Sequence, residues 1–261
     1  MSSLAGTPAL PGTVHLVGAG PGDPSLITLR GARLLESCTL VASDRLVAPE
    51  LLELAPSDAV RLDVGKRLGA GWRQDEIDDL IVDAARAGHA VVRLKGGDPF
   101  VLGRGGEEAA ACVAAGVPFE VVPGISSAIA APAAAGIPVT HRGLSPAFAV
   151  VTGHEDPNKP GPQVDWAALA VFPGTLLVLM GVGSLARSTA ELIANGRCAT
   201  TPAAAIQWGT TSRQRVVEAP LGELAAAVAL AGLGAPATIV VGDVVAMRGV
   251  LAAEPALVGA A

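Results

Sequence analysis

The residues best suited to chemistry are concentrated in one stretch, Val91 to Glu108, which runs VVRLKGGDPFVLGRGGEE. Its two Gly-Gly pairs, at 96–97 and 105–106, let backbone N–H groups come within contact distance of a ligand. Between them Asp98 offers a carboxylate acceptor and Arg104 a planar fork of donors. A glycine pair alone suits any strand-to-helix turn; two pairs flanked by charge predict a loop built around a ligand. A second glycine loop, Gly18 to Pro24, begins like a dinucleotide fingerprint but has Asp23 in the sixth position, and Pro21 and Pro24 stiffen it. A pyrophosphate would meet that carboxylate, so a nucleoside-type ligand without phosphates fits better. Asp44 follows an apolar run and is either a base or substrate contact, or the N-cap of a helix over Arg45 to Leu54. Lys66, just after Gly65, either reaches an anion or reacting centre or is simply solvated. No G-x-x-x-x-G-K-[ST] run exists, so this is not a P-loop.

These residues need a scaffold that ends strands beside one another. Val14 to Val17, Thr39 to Ser43, Ala59 to Val64, Val91 to Leu94 and Phe119 to Val122 are short apolar runs alternating with helical patterns, the grammar of an α/β lobe. One predicted helix, capped by Ser25 or Thr28, turns Leu29, Ala32, Leu34 and Leu35 inward. Another aligns Ile77, Leu80, Ile81 and Ala84, and a third runs from about Glu107 to Ala115, stopped by Gly116 with Pro118 beyond. Pro123-Gly124 marks the lobe boundary, and an alanine-rich helix begins at Ile125. In the second half, strands are expected at Phe148 to Thr152, Thr175 to Met180, Ala203 to Trp208, Arg213 to Glu218 (an edge) and Thr238 to Val245. A helix is expected from Ser184 to Asn195, and a Pro/Gly/Asn loop from Asp156 to Val164. The expected organisation is a flexible leader 1–13, an N-terminal lobe 14–124, a C-terminal lobe 125–248 and a flexible tail 249–261.

Composition narrows the partners. Hydrophobic residues make up 51% and charged residues 16% of 261, enough to bury large cores, yet glycine, proline or charge interrupts every apolar run well before the ~20 residues of a spanning helix. The N-terminus lacks a basic segment leading into an apolar one, so no secretory signal and a cytoplasmic location are expected. A net charge of −6, 3% aromatics and no tyrosine lack the basic, stacking-rich surface of a nucleic-acid binder. Cys38, Cys112 and Cys198 form no CxxC pair, and the four histidines show no metal-ligand spacing, so no metal is expected.

Several stretches together resemble one family. VGAGPGDPSLITL, ASDRLV, VGKR, VVRLKGGDPFVLGRGGEE, VVPGISSAIAAPAAAGIPVTHRG, VVTGHED, LMGV and QWGTTSRQRVV occur in the order found in the uroporphyrinogen-III C-methyltransferases of the tetrapyrrole methylase class, across most of the chain. The resemblance implies a two-lobed α/β fold with a parallel N-terminal and a mixed C-terminal sheet, an active site in the cleft between lobes, and a homodimer. It implies S-adenosyl-L-methionine as methyl donor, S-adenosyl-L-homocysteine as product and uroporphyrinogen III as acceptor, methylated at C-2 and C-7 to give precorrin-2 by way of precorrin-1. Carried over by position, the cofactor residues are Pro21, Gly96, Gly97, Asp98, Val101, Ser126, Ser127, Met180 and Gly209. Asp44 matches the family's proton acceptor and Lys66 its proton donor. Arg104 joins them as a catalytic candidate, and Arg104, Glu107 and Arg142 are expected on the side of the eight-carboxylate substrate. The chain departs from the family at Ser126-Ser127, where Thr-Ala is usual, and at Val101-Leu102, where the second residue is commonly Phe. No dehydrogenase and chelatase module precedes residue 14, so a single-function form is expected. The alternatives are a methylase for a later precorrin, a relative acting on protein or rRNA, and a non-catalytic S-adenosyl-methionine sensor.

Overall fold

The five apolar runs of the first half become five parallel strands: the three central ones are buried almost throughout, as their near-continuous apolar content demands, while the outer two are half-exposed. The computed structural model describes residues 7–65, 72–155 and 164–251. The chain divides into two units, one through Ser126 and one from Ser127.

In unit 1, β1 (Thr13–Gly18) leads to α1 (Leu29–Ser37), β2 (Leu40–Ser43), α2 (Pro49–Leu52), β3 (Val60–Asp63), α3 (Gln74–Arg86), β4 (Ala90–Lys95), α4 (Gly105–Ala115) and β5 (Phe119–Val122). The sheet order is β3-β2-β4-β1-β5, every pair parallel. Alternate residues feed two cores. Val17, Val41, Val92 and Leu94 pack with Leu34 and Leu35 of α1 on one face. Val14, Leu16, Leu40 and Val91 pack with Ile77 and Ile81 of α3 and Ala109 and Cys112 of α4 on the other. Of the two proposed caps for α1, Thr28 serves, its side chain accepting from the Gly31 N–H. Residues 7–12 are tied to this unit, with the Ala9 N–H donating to Ser37 Oγ at 2.8 Å.

The helix expected over Arg45 to Leu54 is only the four residues of α2. Pro49 stands at its first turn and disfavours helical geometry in the residue before it, so Ala48 is extended (φ −62°, ψ 126°) and is the N-cap. Asp44 is therefore not a helix cap.

Unit 2 comprises α5 (Ser127–Ala134), β6 (Phe148–Thr152), α6 (Trp166–Ala170), β7 (Thr175–Leu179), α7 (Leu185–Ala194), β8 (Pro202–Gln207), β9 (Arg215–Pro220), α8 (Leu221–Leu230), β10 (Ala237–Val241) and α9 (Met247–Leu251). Its sheet, β6-β7-β10-β8-β9, is mixed: β6 and β7 are parallel, and β10 is antiparallel to both neighbours. The edge strand is β9, shifted two residues from its expected span. β10 stops at Val241 rather than Val245, because Gly242 at φ 148° turns the chain into a 3-10 segment. The tail from 252 and most of the expected 156–164 loop lie outside the described residues.

Candidate active site

Strand order decides where unit 1 can bind a ligand. β1 and β4 are neighbours, yet α1 packs on one face of the sheet and α4 on the other. The loops leaving these strands diverge, which opens the crevice where ligands bind in open α/β sheets. Both glycine loops picked out in the sequence leave from this point. They are laced together by Gly97 N–H to Gly20 O at 2.7 Å and Gly20 N–H to Gly97 O at 3.2 Å. The loop after β5 joins them at Gly124, where an added Cβ would lie 2.1 Å from the Gly97 carbonyl oxygen and 2.7 Å from Gly18 Cα. Only glycine permits three backbones to meet there. Asp98 fastens the junction: Oδ1 accepts from the Phe100 N–H at 2.8 Å and Oδ2 from the Gly124 N–H at 3.0 Å. Beside the junction Gly96 is open, its nearest neighbour for an added Cβ being Leu46 Cβ at 3.7 Å. Asp23, where a dinucleotide loop has glycine, accepts from the Ser25 N–H and caps a short 3-10 turn beginning at Pro24.

Beneath the crevice lies a group of charges that the sequence reading did not isolate. Arg93 and Lys95 alternate along β4 and so share a face, and both are 2% exposed; Glu108 of α4 is completely buried. Glu108 Oε1 accepts from Arg93 Nε at 2.9 Å and Lys95 Nζ at 2.8 Å. Arg93 also donates to Asp44 Oδ1 at 2.5 Å, and Asp44, one-third exposed, carries the group to the surface at the end of β2. Burial opposes the charge of Arg93, but the Asp44 and Glu108 carboxylates outweigh it and hold the guanidinium above its ordinary pKa. Burial, helped by the like charge of Arg93, pushes the Lys95 ammonium below its ordinary value against the pull of Glu108. Two cations at alternate positions of an otherwise apolar central strand were the available signal, since buried charges require partners.

In unit 2 the carried-over residues gather at one end of the mixed sheet. Met180 follows β7 and Gly209 lies just beyond β8, while β10, running the other way, starts level with them through Thr238↔Leu179 and Ala237↔Gln207. Thr238 Oγ1 donates to the Ser127 carbonyl, which brings the start of α5 to the same end. Gly209 packs on α5, an added Cβ falling 2.4 Å from Ala131 Cβ. Met180 leaves the strand with φ 56°, so β7 ends one residue earlier than expected; Trp208 and Thr210 also have positive φ. The other described non-glycine residues of this kind, Leu102 and Arg104, lie in the loop after β4. Such backbone strain costs about 1–3 kcal/mol per residue and tends to collect at functional loops.

The substrate-side residues are arranged differently. Arg104 and Glu107 form a two-point ion pair at 2.9 and 2.7 Å on an exposed helix end. Arg142 is exposed in the turn 141–145, which Ser145 fastens to Thr175 at the start of β7, the end opposite Met180. Lys66 lies outside the described residues.

A model of the Tetrapyrrole (Corrin/Porphyrin) Methylases matches residues 13–225. The chain belongs to this family. An S-adenosyl-L-methionine-dependent uroporphyrinogen III methyltransferase of Methanosarcina barkeri is 48% identical over 92% of this chain and 94% of its own. A siroheme synthase of Chromobacterium violaceum is 50% identical over 90% of this chain, and the chain spans about half that protein's length. Among solved structures, the uroporphyrin-III C-methyltransferase of Thermus thermophilus complexed with S-adenyl homocysteine superposes with a TM-score of 0.75. It is 42% identical over 89% of this chain and 93% of that one.

The residues present suit the family's donor. S-adenosyl-methionine has no phosphate, so the Asp23 carboxylate in the β1 loop has no pyrophosphate to repel, and the open side of Gly96 leaves room for close approach of a nucleoside. Val101 and Met180, 37% and 53% exposed, leave apolar surface for a ligand to cover. Among the described residues no His/Cys/Asp/Glu group is arranged to hold a metal, and no helix is long and apolar enough to cross a membrane.

Proposed function

We propose that this tetrapyrrole methylase transfers methyl groups from S-adenosyl-L-methionine to C-2 and then C-7 of uroporphyrinogen III, giving precorrin-2 through precorrin-1. The observation that carries the assignment is the relative named for this substrate, 48% identical over nearly the whole of both chains. In each transfer the methyl carbon leaves sulfur as the new C–C bond forms, and the sulfur keeps the electron pair. All eight outer pyrrole carbons of the acceptor carry side chains, so the proton whose loss cancels the positive charge left by the incoming methyl leaves from elsewhere on the macrocycle.

We assign that proton to Asp44, whose carboxylate reaches the surface at a strand end while its Oδ1 is held by Arg93. Lys66 is the proposed proton donor. Pro21, Gly96, Gly97, Asp98, Val101, Ser126, Ser127, Met180 and Gly209 are proposed to hold the donor. For Asp98 the support lies in the backbone it shapes, since its two oxygens are engaged by Phe100 and Gly124. Arg104, Glu107 and Arg142 are proposed for the substrate's carboxylates, with the Arg104–Glu107 pair opening to admit one. A homodimer, implied by the family resemblance, and a cytoplasmic location, expected from the N-terminal sequence, belong to the same proposal and are checked by sedimentation equilibrium and by fractionation.

The test is mass spectrometry of the protein incubated anaerobically with uroporphyrinogen III and S-adenosyl-methionine. A product two methyl groups heavier is expected. Binding of S-adenosyl-homocysteine without turnover of this acceptor would overturn the assignment.

A further inference from the structure

Glu108 has no task in the assignments above, yet it is completely buried and holds the innermost position of the charge group. Its Oε1 takes donors from Arg93, from Lys95 and, at 3.3 Å, from Gln74 Nε2, whereas its Oε2 has no hydrogen-bond partner among the described residues. Burying a carboxylate and two cations contributes less to stability than an apolar cluster of the same volume, so stability alone is a poor reason for such a group.

We propose that Glu108 is a positioning residue for methyl transfer: acting through Arg93, it holds the Asp44 carboxylate in one orientation, Oδ1 bound and Oδ2 turned to the macrocycle, with Lys95 balancing its charge. The inference rests on Asp44 being the base. The geometry that carries it is the anchoring of the guanidinium. Arg93 Nε is fixed to Glu108 at 2.9 Å, and NH1 donates to the carbonyls of Ala42 at 3.2 Å and Leu94 at 3.3 Å. That leaves NH2 aimed at Asp44 Oδ1. The Asp44 N–H donates to the same Leu94 carbonyl at 3.1 Å, so main chain and side chain are registered on one strand. An arginine pinned at Nε and NH1 cannot follow Asp44 through a rotamer change, and the base is therefore pre-oriented. Without the Glu108 anchor, Arg93 is held only through NH1 and can pivot toward Asp44 to cover both its oxygens.

The charged groups bearing on this set are few. From β4 come Arg93 and Lys95, and Asp44 stands at the end of β2. From α4 come Glu108, with Glu107 and Arg104 at the helix start, and from α3 comes Asp78, held by Gln74. Burial, and then the nearby Glu108 and Glu107, hold the Asp78 carboxyl above its ordinary range, against the hydrogen bond from Gln74. Beside β2, Arg45 packs its Cβ against Gly65, and Asp63 ends β3.

The test is steady-state turnover of the full chain with uroporphyrinogen III and S-adenosyl-methionine, across pH, for Glu108→Gln, Lys95→Met and Asp44→Asn. Calorimetric affinity for S-adenosyl-homocysteine reports whether each variant is folded. Glu108→Gln removes a negative charge behind Arg93, so kcat should fall roughly 10–100-fold with affinity kept within twofold, and the acidic limb of the pH–kcat profile should move to lower pH. Lys95→Met removes a positive charge, and the same limb should move to higher pH. The limb displacements show that both charges act on the base; the signature of positioning is the fall in kcat at kept affinity, which a purely structural role does not produce. If Glu108→Gln does not fold, Arg93→Lys, which keeps the charge but not the pinned fork, decides by the same measurement. The double variant Asp44→Asn/Glu108→Gln should be no slower than Asp44→Asn alone. Full turnover in Asp44→Asn overturns the base assignment and this inference with it. Turnover lost in Asp44→Asn, with kcat unchanged in Glu108→Gln or with the double variant slower than Asp44→Asn alone, overturns the inference alone.

Discussion

Asp98 is the residue whose expected role changes most between sequence and structure, and replacing it separates two physical accounts. As a ligand contact, Asp98→Ala would weaken cofactor binding and leave stability nearly unchanged. In the structure its two oxygens instead receive the N–H groups of Phe100 and Gly124, clasping the loops after β4 and β5. Hydrogen bonds to a charged acceptor contribute about 1.5–3 kcal/mol each, toward the low end when exposed as the Phe100 bond is. Allowing for water to replace part of what is lost, Asp98→Ala should destabilise the protein by about 2–3 kcal/mol. For a chain of this length that is a fall in Tm of roughly 4–6 °C. Asp98→Asn keeps one acceptor, and rotating its amide to satisfy Phe100 sets an NH2 against the Gly124 N–H. About half the loss is expected, or roughly 1–2 kcal/mol. Urea unfolding with a constant m-value gives the stability change, and titration with S-adenosyl-homocysteine gives the affinity. Affinity should fall alongside stability, because the clasp shapes the backbone that Gly96 and Gly97 present. An Asp98→Ala protein with unchanged urea midpoint and lost affinity would refute the clasp and restore a direct contact.

Gly124→Ala should cost at least as much as Asp98→Ala. Its Cβ would sit 2.1 Å from the Gly97 carbonyl oxygen, and backbone on both sides cannot yield without disturbing the meeting of the loops after β1, β4 and β5; overpacking of this kind costs ~1–3 kcal/mol or more, and a urea midpoint equal to wild type would refute the close approach. His15 supplies a pH dependence. It is 1% exposed, donates through Nδ1 to Glu120 and accepts the Leu10 N–H on Nε2; burial depresses its pKa below 6.5 despite the opposing pull of Glu120. The unfolded chain therefore takes up this proton first, so the stability it provides is intact above pH 6.5 and declines as pH falls from there toward the folded value, by at most about 1.4 kcal/mol per pH unit. Urea midpoints at pH 7.5 and 5.5 should differ, and the difference should shrink in His15→Gln; an equal difference in that variant removes His15 from the account.

Much was legible from the sequence because local rules suffice where a segment is buried on both faces or broken by glycine. Continuous runs such as Val91 to Leu94 specify central parallel strands, and the glycines after β1 and β4 specify loops whose backbones meet closely. The positions of Gly20 and Gly97 within those loops needed no coordinates. Boundaries failed where a neighbour overrides propensity: Pro49 cut the expected helix to four residues, and Gly242 ended β10 early. What the order of residues cannot reveal is which strands lie side by side. Only tertiary structure put β1 beside β4 with α1 and α4 on opposite faces, which joined two separate glycine loops at one crevice. Only tertiary structure brought Asp44, Arg93, Lys95 and Glu108 together, across 64 positions of sequence from first to last, because a buried charge is tolerated only where the fold delivers its partner.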